Sequence, residues 1–192
     1  LNKDIKAKAD KDSDDLIIKL ISENSSYPIL SEERYQEFGS TIEGPYWIID
    51  PLDGTLNFSR YIDFYCVSIA LWEGDSPILG VVYDINRKEL FHSLKSEGFF
   101  IDNEPFERGQ KKPIDQSILF TGFPTYLSHH ENTLKQYLEF IQSFKKIRLL
   151  GSAALSLAWV AANRGDAYYE KEIKLWDVAA GLAFVSELGI EV

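Results

Sequence analysis

Trp47-Ile48-Ile49-Asp50-Pro51-Leu52-Asp53-Gly54-Thr55-Leu56-Asn57-Phe58 is the stretch that decides how this chain is read. Three apolar residues form a buried strand that runs into two carboxylates three positions apart. Pro51 stiffens the strand exit, and Gly54 permits a tight turn. Side chains at such a strand end converge on one point instead of alternating across the sheet. Converging carboxylates repel unless a cation sits between them, and an all-oxygen donor set favours Mg²⁺. A structural turn explains most isolated Asp-x-x-Asp pairs. The whole string from Asp50 to Thr55, placed behind an apolar strand, is far more specific.

Working outward, residues 10–23 read as an amphipathic helix, with Leu16, Ile17, Leu20 and Ile21 on one face and charges opposite. After the central string, strands are expected at 66–72, 78–83, 89–93 and 98–101, separated by turn signals such as Gly74-Asp75-Ser76-Pro77. The second half mixes helix and strand. Strands are expected at 117–122, 147–150 and 167–170, and helices at 131–144, 152–163 and 176–188, with Gly165 as a helix stop. No repeat, low-complexity tract or interdomain linker interrupts the pattern, so one α/β unit with layered sheets is the simplest reading.

Composition narrows the function. Of 192 residues, 45% are hydrophobic and 26% charged, which predicts a packed core rather than disorder. No apolar run approaches the ~20 residues that span a bilayer. The formal net charge of −10 argues against nucleic acid, and the densest basic run, Lys145-Lys146-Ile147-Arg148, reads as a helix end entering a strand. An acidic protein that handles an anionic substrate needs cations between the two. The single cysteine, Cys66, lies in an apolar strand and reads as a buried structural thiol of a reducing, cytoplasmic compartment. His92, His129 and His130 lack zinc-ligand spacing and are expected on the surface or in loops.

Further candidates carry two readings each. Gly151-Ser152-Ala153 opens a helix, so its N–H groups and dipole suit a phosphate, although a tight strand–helix turn explains it too. Asp177 lies in the first turn of its helix, where dipole stabilisation alone would account for it. Thr55 could orient an attacking water or relay a proton with Asp10 as partner, and an ordinary N-cap role is compatible with that. Asp10 is equally readable as a helix cap. Glu33 reads as a supporting acceptor or a solvated carboxylate, Trp176 as core, and Asp12, Asp14 and Asp15 as a charge run without chemistry.

The residues 47–58 closely resemble the signature of the inositol monophosphatase family. Ser31-Glu32-Glu33 resembles the family's upstream Gly-Glu-Glu element, with serine in place of glycine, and Leu175-Trp176-Asp177-Val178-Ala179-Ala180-Gly181 resembles its downstream Trp-Asp element. Gly151-Ser152-Ala153-Ala154 and Asp166-Ala167-Tyr168-Tyr169-Glu170 match in order and spacing. The resemblance implies an α-β-α-β-α layered sandwich of the inositol monophosphatase and fructose-1,6-bisphosphatase type. It implies that residues 1–192 are a single phosphatase domain, with an N-terminal helix and a C-terminal strand-helix portion absent from the sequence. It further implies metal-dependent hydrolysis of a small phosphate monoester, with Mg²⁺ as cofactor in two or three ions.

By resemblance, Glu32, Asp50 and the backbone carbonyl of Leu52 hold one metal. Asp50, Asp53 and Asp177 hold a second, and a weaker third lies near Glu32 and reaches Asp10 through water. Asp10 matches the aspartate of a Thr-x-x-Asp element whose threonine is here Ala7. Catalytic roles then fall to Thr55, Asp10 and Glu32. Substrate contacts fall to Asp53, Gly54, Thr55, Gly151, Ser152, Ala153, Asp177 and Glu170, the last toward sugar-ring hydroxyls. Two metals ~3.5–4 Å apart would activate a water and stabilise the leaving alkoxide.

Asn57-Phe58 resembles the inositol monophosphatase branch, which makes an inositol monophosphate or similar polyol phosphate the expected substrate. Bisphosphate nucleotidase, fructose-1,6-bisphosphatase and histidinol phosphatase activities are the alternatives, and Lys171 and Lys174 keep a second phosphate open. A catalytically silent binding module would have lost a ligand, yet Glu32, Asp50, Asp53, Thr55 and Asp177 are all present. Lithium sensitivity and homodimer assembly are further implications of the resemblance, as is a partner-mediated role in RNA metabolism known among relatives. No nucleic acid or membrane partner is expected from the residues themselves.

Overall fold

The computed structural model describes residues 2–37, 42–123 and 131–192. His129 and His130 lie outside the described residues. A seven-stranded sheet runs in the order β1 (Ile29–Ser31), β2 (Pro45–Asp53), β3 (Cys66–Glu73), β4 (Ser76–Asp84), β5 (Glu89–Leu94), β6 (Gly98–Ile101) and β7 (Glu104–Pro105). Sequential strands pair antiparallel from β2 onward, with short turns joining the strands from β3 to β7 and a segment containing a short helix joining β2 to β3, while β1 joins β2 in parallel. A second, three-stranded parallel sheet has β8 (Ile118–Thr121) between β10 (Ala167–Tyr169) and β9 (Lys146–Arg148).

Helices fill the layers around these sheets. α4 (Ala153–Ala161) and α5 (Leu175–Glu187) pack on each other and on β2–β4 of the large sheet, and α4 also reaches β10 of the small one. Their interior is mostly Ala, Leu and Val with Phe184 among them, which allows close packing, and Trp72 Nε1 donates to Ala179 O at 3.2 Å to tie β3 to α5. α1 (Asn2–Ser22) packs on β2 and on the short α2 (Thr55–Ser59), and α3 (Glu131–Gln142) covers the small sheet through Tyr137 and Phe140. The result is the expected layered α/β sandwich.

Three sequence expectations need correction. Leu16 and Leu20 are 56% and 52% exposed, whereas Asp10 and Asp14 of the same helix are buried. Burial on α1 therefore follows partners for the carboxylates rather than the apolar stripe. The stop after α4 is Asn163, which takes the left-handed conformation (φ 60°), while Gly165 packs against the Phe120 ring. His92 is neither a loop nor a freely exposed residue: it sits in β5, half-buried and stacked on Phe100 at 4.9 Å.

Candidate metal centre

A regular strand would send positions 50 and 53 to opposite faces. The β2–β3 register prevents that: Asp50 pairs with Ser68 and Asp53 with Cys66, so three steps along β2 match two along β3. This bulge over Pro51-Leu52 turns both carboxylates onto the face that meets α4 and α5. Leu52 N–H donates to Asp50 Oδ1 at 3.0 Å and holds the bulge closed. Gly54 then takes φ 89°, and a Cβ there would lie 2.9 Å from Phe64 O and 3.2 Å from the Ser152 Cβ.

α5 brings the third carboxylate. Oxygens of Asp50, Asp53 and Asp177 lie within 4.8 Å of one another. Asp177 Oδ2 accepts the Lys174 N–H at 3.0 Å, so it caps its own helix and faces the cluster together. Glu32 approaches from the 3₁₀ turn Glu32–Glu37, and its charge helps to raise Asp50.

Electrostatics give the cluster its meaning. Burial pushes Asp50 well above the usual carboxylate range, and Asp53, Glu32 and Asp177 push it further. Burial raises Asp53 to about 7, against the pull of hydrogen bonds from Ser152 and Ala154. Glu32 and Asp177 are also raised, chiefly by burial. Four carboxyl groups that repel one another out of water form a site that a hard cation would neutralise, and every donor is oxygen. The residues therefore fit Mg²⁺.

The other expected residues fall around this centre. Thr55 Oγ1 donates to the Leu52 carbonyl at 3.1 Å, which leaves that oxygen a second lone pair for a cation. Thr55 is the first residue of α2 and Gly54 is its N-cap, so the capping reading of Thr55 is corrected. Asp10 is buried inside α1 rather than at its start, which removes the capping reading for it too, and its charge raises Glu32. Ser152 caps α4 by accepting Leu155 N–H at 3.3 Å, and its hydroxyl donates to Asp53 Oδ2 at 2.6 Å. Ala154 N–H donates to the same oxygen at 2.6 Å, so the anion that meets the α4 N-terminus is Asp53 itself. Cys66 is a buried thiol beside Asp53 and Ser152, with its pKa raised by burial, as expected of a structural residue.

Glu170 accepts the Tyr168 hydroxyl at 2.5 Å, and a Cβ on Gly122 would overlap its carboxylate, so this acid is held in one orientation near Asp177. Burial, then the bond to Glu170, push Tyr168 upward. Asn57 acts structurally: its Nδ2 donates to Phe64 O at 2.8 Å and Leu150 O at 2.7 Å, joining α2 to the start of α4. Trp176 packs on the core and meets Tyr35 at 5.3 Å, and Glu33 is exposed.

Sequence reasoning missed Ser13, Asp14 and Arg34. Asp14 is buried and accepts both Ser31 Oγ and Arg34 Nε, while Arg34 also pairs with Asp15, so the run at 12–15 is not inert. The signal was the four-residue spacing of Asp10 and Asp14, which puts both on one helix face.

Comparison with known proteins agrees with this geometry. Residues 2–192 match the inositol monophosphatase family. A protein named Nus factor SuhB from Xylella fastidiosa is 42% identical over 164 residues, covering 85% of this chain and 58% of that protein. An inositol-1-monophosphatase from Synechocystis is 35% identical over 189 residues, covering 97% of this chain and 65% of that protein. The crystal structure of inositol monophosphatase-II from Staphylococcus aureus superposes with a TM-score of 0.87 at 28% identity, covering 98% of this chain and 72% of that one. The chain thus spans about three-fifths of the length of the first two relatives. By sequence and fold alike, it belongs to the inositol monophosphatase family.

Proposed function

We propose that the protein hydrolyses small phosphate monoesters with Mg²⁺ as cofactor, and that its substrate is an inositol monophosphate or a similar polyol phosphate. The observation that carries this reading is the convergence of Asp50, Asp53 and Asp177 from a strand bulge and a helix start. When bound, Mg²⁺ supplies neutralisation of the phosphoryl charge and a lowered pKa for the attacking water.

The chain's own residues do the rest. Asp50 spans the two halves of the centre, with Glu32 and the Leu52 carbonyl on one side and Asp53 and Asp177 on the other. Thr55 Oγ1, whose own proton goes to the Leu52 carbonyl, accepts a hydrogen bond from the water and orients it; a relay toward Asp10 requires that hydroxyl to turn away from Leu52. Backbone N–H groups of Gly54 and Thr55, with those of residues 151–153 leading into α4, receive the phosphate. Tyr168 and Gly122 hold Glu170 as an acceptor for substrate hydroxyls. The family resemblance also carries the expectations of two or three ions, lithium sensitivity and a cytoplasmic homodimer. Among the described residues no helix is long and apolar enough to cross a membrane.

Phosphate release from inositol 1-phosphate, fructose 1,6-bisphosphate, 3′-phosphoadenosine 5′-phosphate and histidinol phosphate, with Mg²⁺, with EDTA and with Li⁺, tests the proposal. Mg²⁺-dependent, Li⁺-sensitive release led by inositol 1-phosphate is the expected outcome. Preference for the nucleotide would move the substrate assignment, and no release from any compound would reject the enzyme reading.

A further inference from the structure

The ladder between β1 and β2 ends where it matters most. Its last register pair is Ser31 with Ile49, one residue before Glu32 and one before Asp50. Beyond that pair no backbone ladder among the described residues ties the Glu32 segment to β2, while Asp50 stays in the sheet through Ser68 of β3. Two adjacent residues of α1 take over. Ser13 Oγ donates to the Pro51 carbonyl at 2.9 Å, inside the bulge that orients Asp50 and Asp53. Asp14 grips the other segment on both sides of Glu32: Ser31 Oγ donates to its Oδ1 at 2.5 Å and Arg34 Nε to its Oδ2 at 2.7 Å.

Asp14 is 1% exposed, and a carboxylate out of water persists only when it is paired and hydrogen-bonded. Each of its two oxygens accepts from a neighbour of Glu32, at −1 and +2. The turn cannot pivot about Glu32 without breaking a charge-assisted bond. Ser31, which stands where the resembling element has glycine, supplies a donor that glycine lacks.

We propose that Asp14 is a positioning residue of the metal centre, fixing Glu32 against Asp50 and so setting the affinity of that half of the site for a divalent cation. This inference rests on the metal reading given above.

The test is Mn²⁺ binding to the full chain, read by electron paramagnetic resonance of free Mn²⁺, for wild type, Asp14→Asn, Glu32→Gln and the double variant. Asparagine keeps the shape and the Ser31 contact but removes the charge that holds Arg34. Asp14→Asn is expected to weaken Mn²⁺ binding about tenfold, the range seen when groups that orient a metal ligand are altered. That loss is expected to vanish in the Glu32→Gln background, because Asp14 acts through Glu32. A merely structural role would lower the melting temperature in EDTA while leaving Mn²⁺ affinity unchanged, or would add fully to Glu32→Gln; either result overturns the proposal. Arg34→Gln carries the same test if Asp14→Asn fails to fold: a smaller loss that vanishes with Glu32→Gln supports the proposal, and unchanged affinity overturns it. Wild-type protein that binds no Mn²⁺ would reject the metal reading itself, whereas wild-type affinity in Asp14→Asn would reject the positioning role alone.

Discussion

The starts of α4 and α5 each meet a carboxylate of the metal centre, and they do so in opposite ways. In α5 the carboxylate is the helix's own: Asp177 accepts an N–H only three residues back in the chain. In α4 it comes from elsewhere, since Ser152 and Ala154 hold Asp53 across 99 and 101 residues. Asp177 would keep its place in an isolated helix, whereas Asp53 needs the assembled fold. The difference shows how the site is built: one acid is supplied locally, and the other is clamped by topology, where burial raises it to about 7 against the pull of the clamping bonds.

The largest expected effect separates charge from clamp. Asp53→Asn keeps acceptors for Ser152 and Ala154 but removes a metal charge, so turnover should fall about 100-fold or more while the fold persists, measured as phosphate release and circular dichroism. Near wild-type turnover at saturating Mg²⁺ would break the ligand set. Next comes α2, the third helix start at the centre. Thr55→Ala should cut kcat by about 100-fold with little change in KM, because its role lies in the transition state. Normal kcat with raised KM would make Thr55 a substrate-holding residue instead.

Ser152→Ala sharpens the comparison at α4. It removes both the N-cap and a donor to Asp53, so stability should drop by about 1 kcal/mol in thermal unfolding. Mg²⁺ affinity should weaken as well, because losing that bond raises the Asp53 pKa further.

The last contrast is a pH dependence. A carboxyl raised from 3.8 to about 7 binds its proton more tightly in the folded state. Below the unfolded value nothing is lost; the penalty grows as pH rises and is complete above the folded value. The metal-free protein should therefore lose stability from about pH 4 to pH 7 through this group, and Mg²⁺ should raise Tm more at about pH 8 than at about pH 5. Equal Mg²⁺ shifts at both pH values would contradict the raised pKa.

These contrasts also mark how far the sequence could be read. The strand into Asp50, the acids Asp53 and Asp177, and the four antiparallel strands that follow were legible, because apolar runs and turn residues act within a few positions. Element ends shifted by one to four residues at β2, β9 and α4, where the chain leaves regular pairing. β1 escaped notice because three residues carry no periodicity. The exposure of Leu16 and Leu20 and the burial of Asp14 were illegible for a different reason. Ser31 and Arg34 lie 17 and 20 residues from Asp14, and only the fold makes them its partners. The same holds for the Ser152 hydroxyl, whose partner Asp53 lies 99 residues away.

The central claim is that Asp50, Asp53 and Asp177, with Glu32 beside them, form a divalent metal centre. Anomalous scattering from crystals soaked in Mn²⁺ tests it most directly. The account predicts peaks coordinated by Asp50 together with Asp53 and Asp177, and by Asp50 with Glu32 and the Leu52 carbonyl. Ordered Mn²⁺ elsewhere, with these four acids left without a peak, would contradict it.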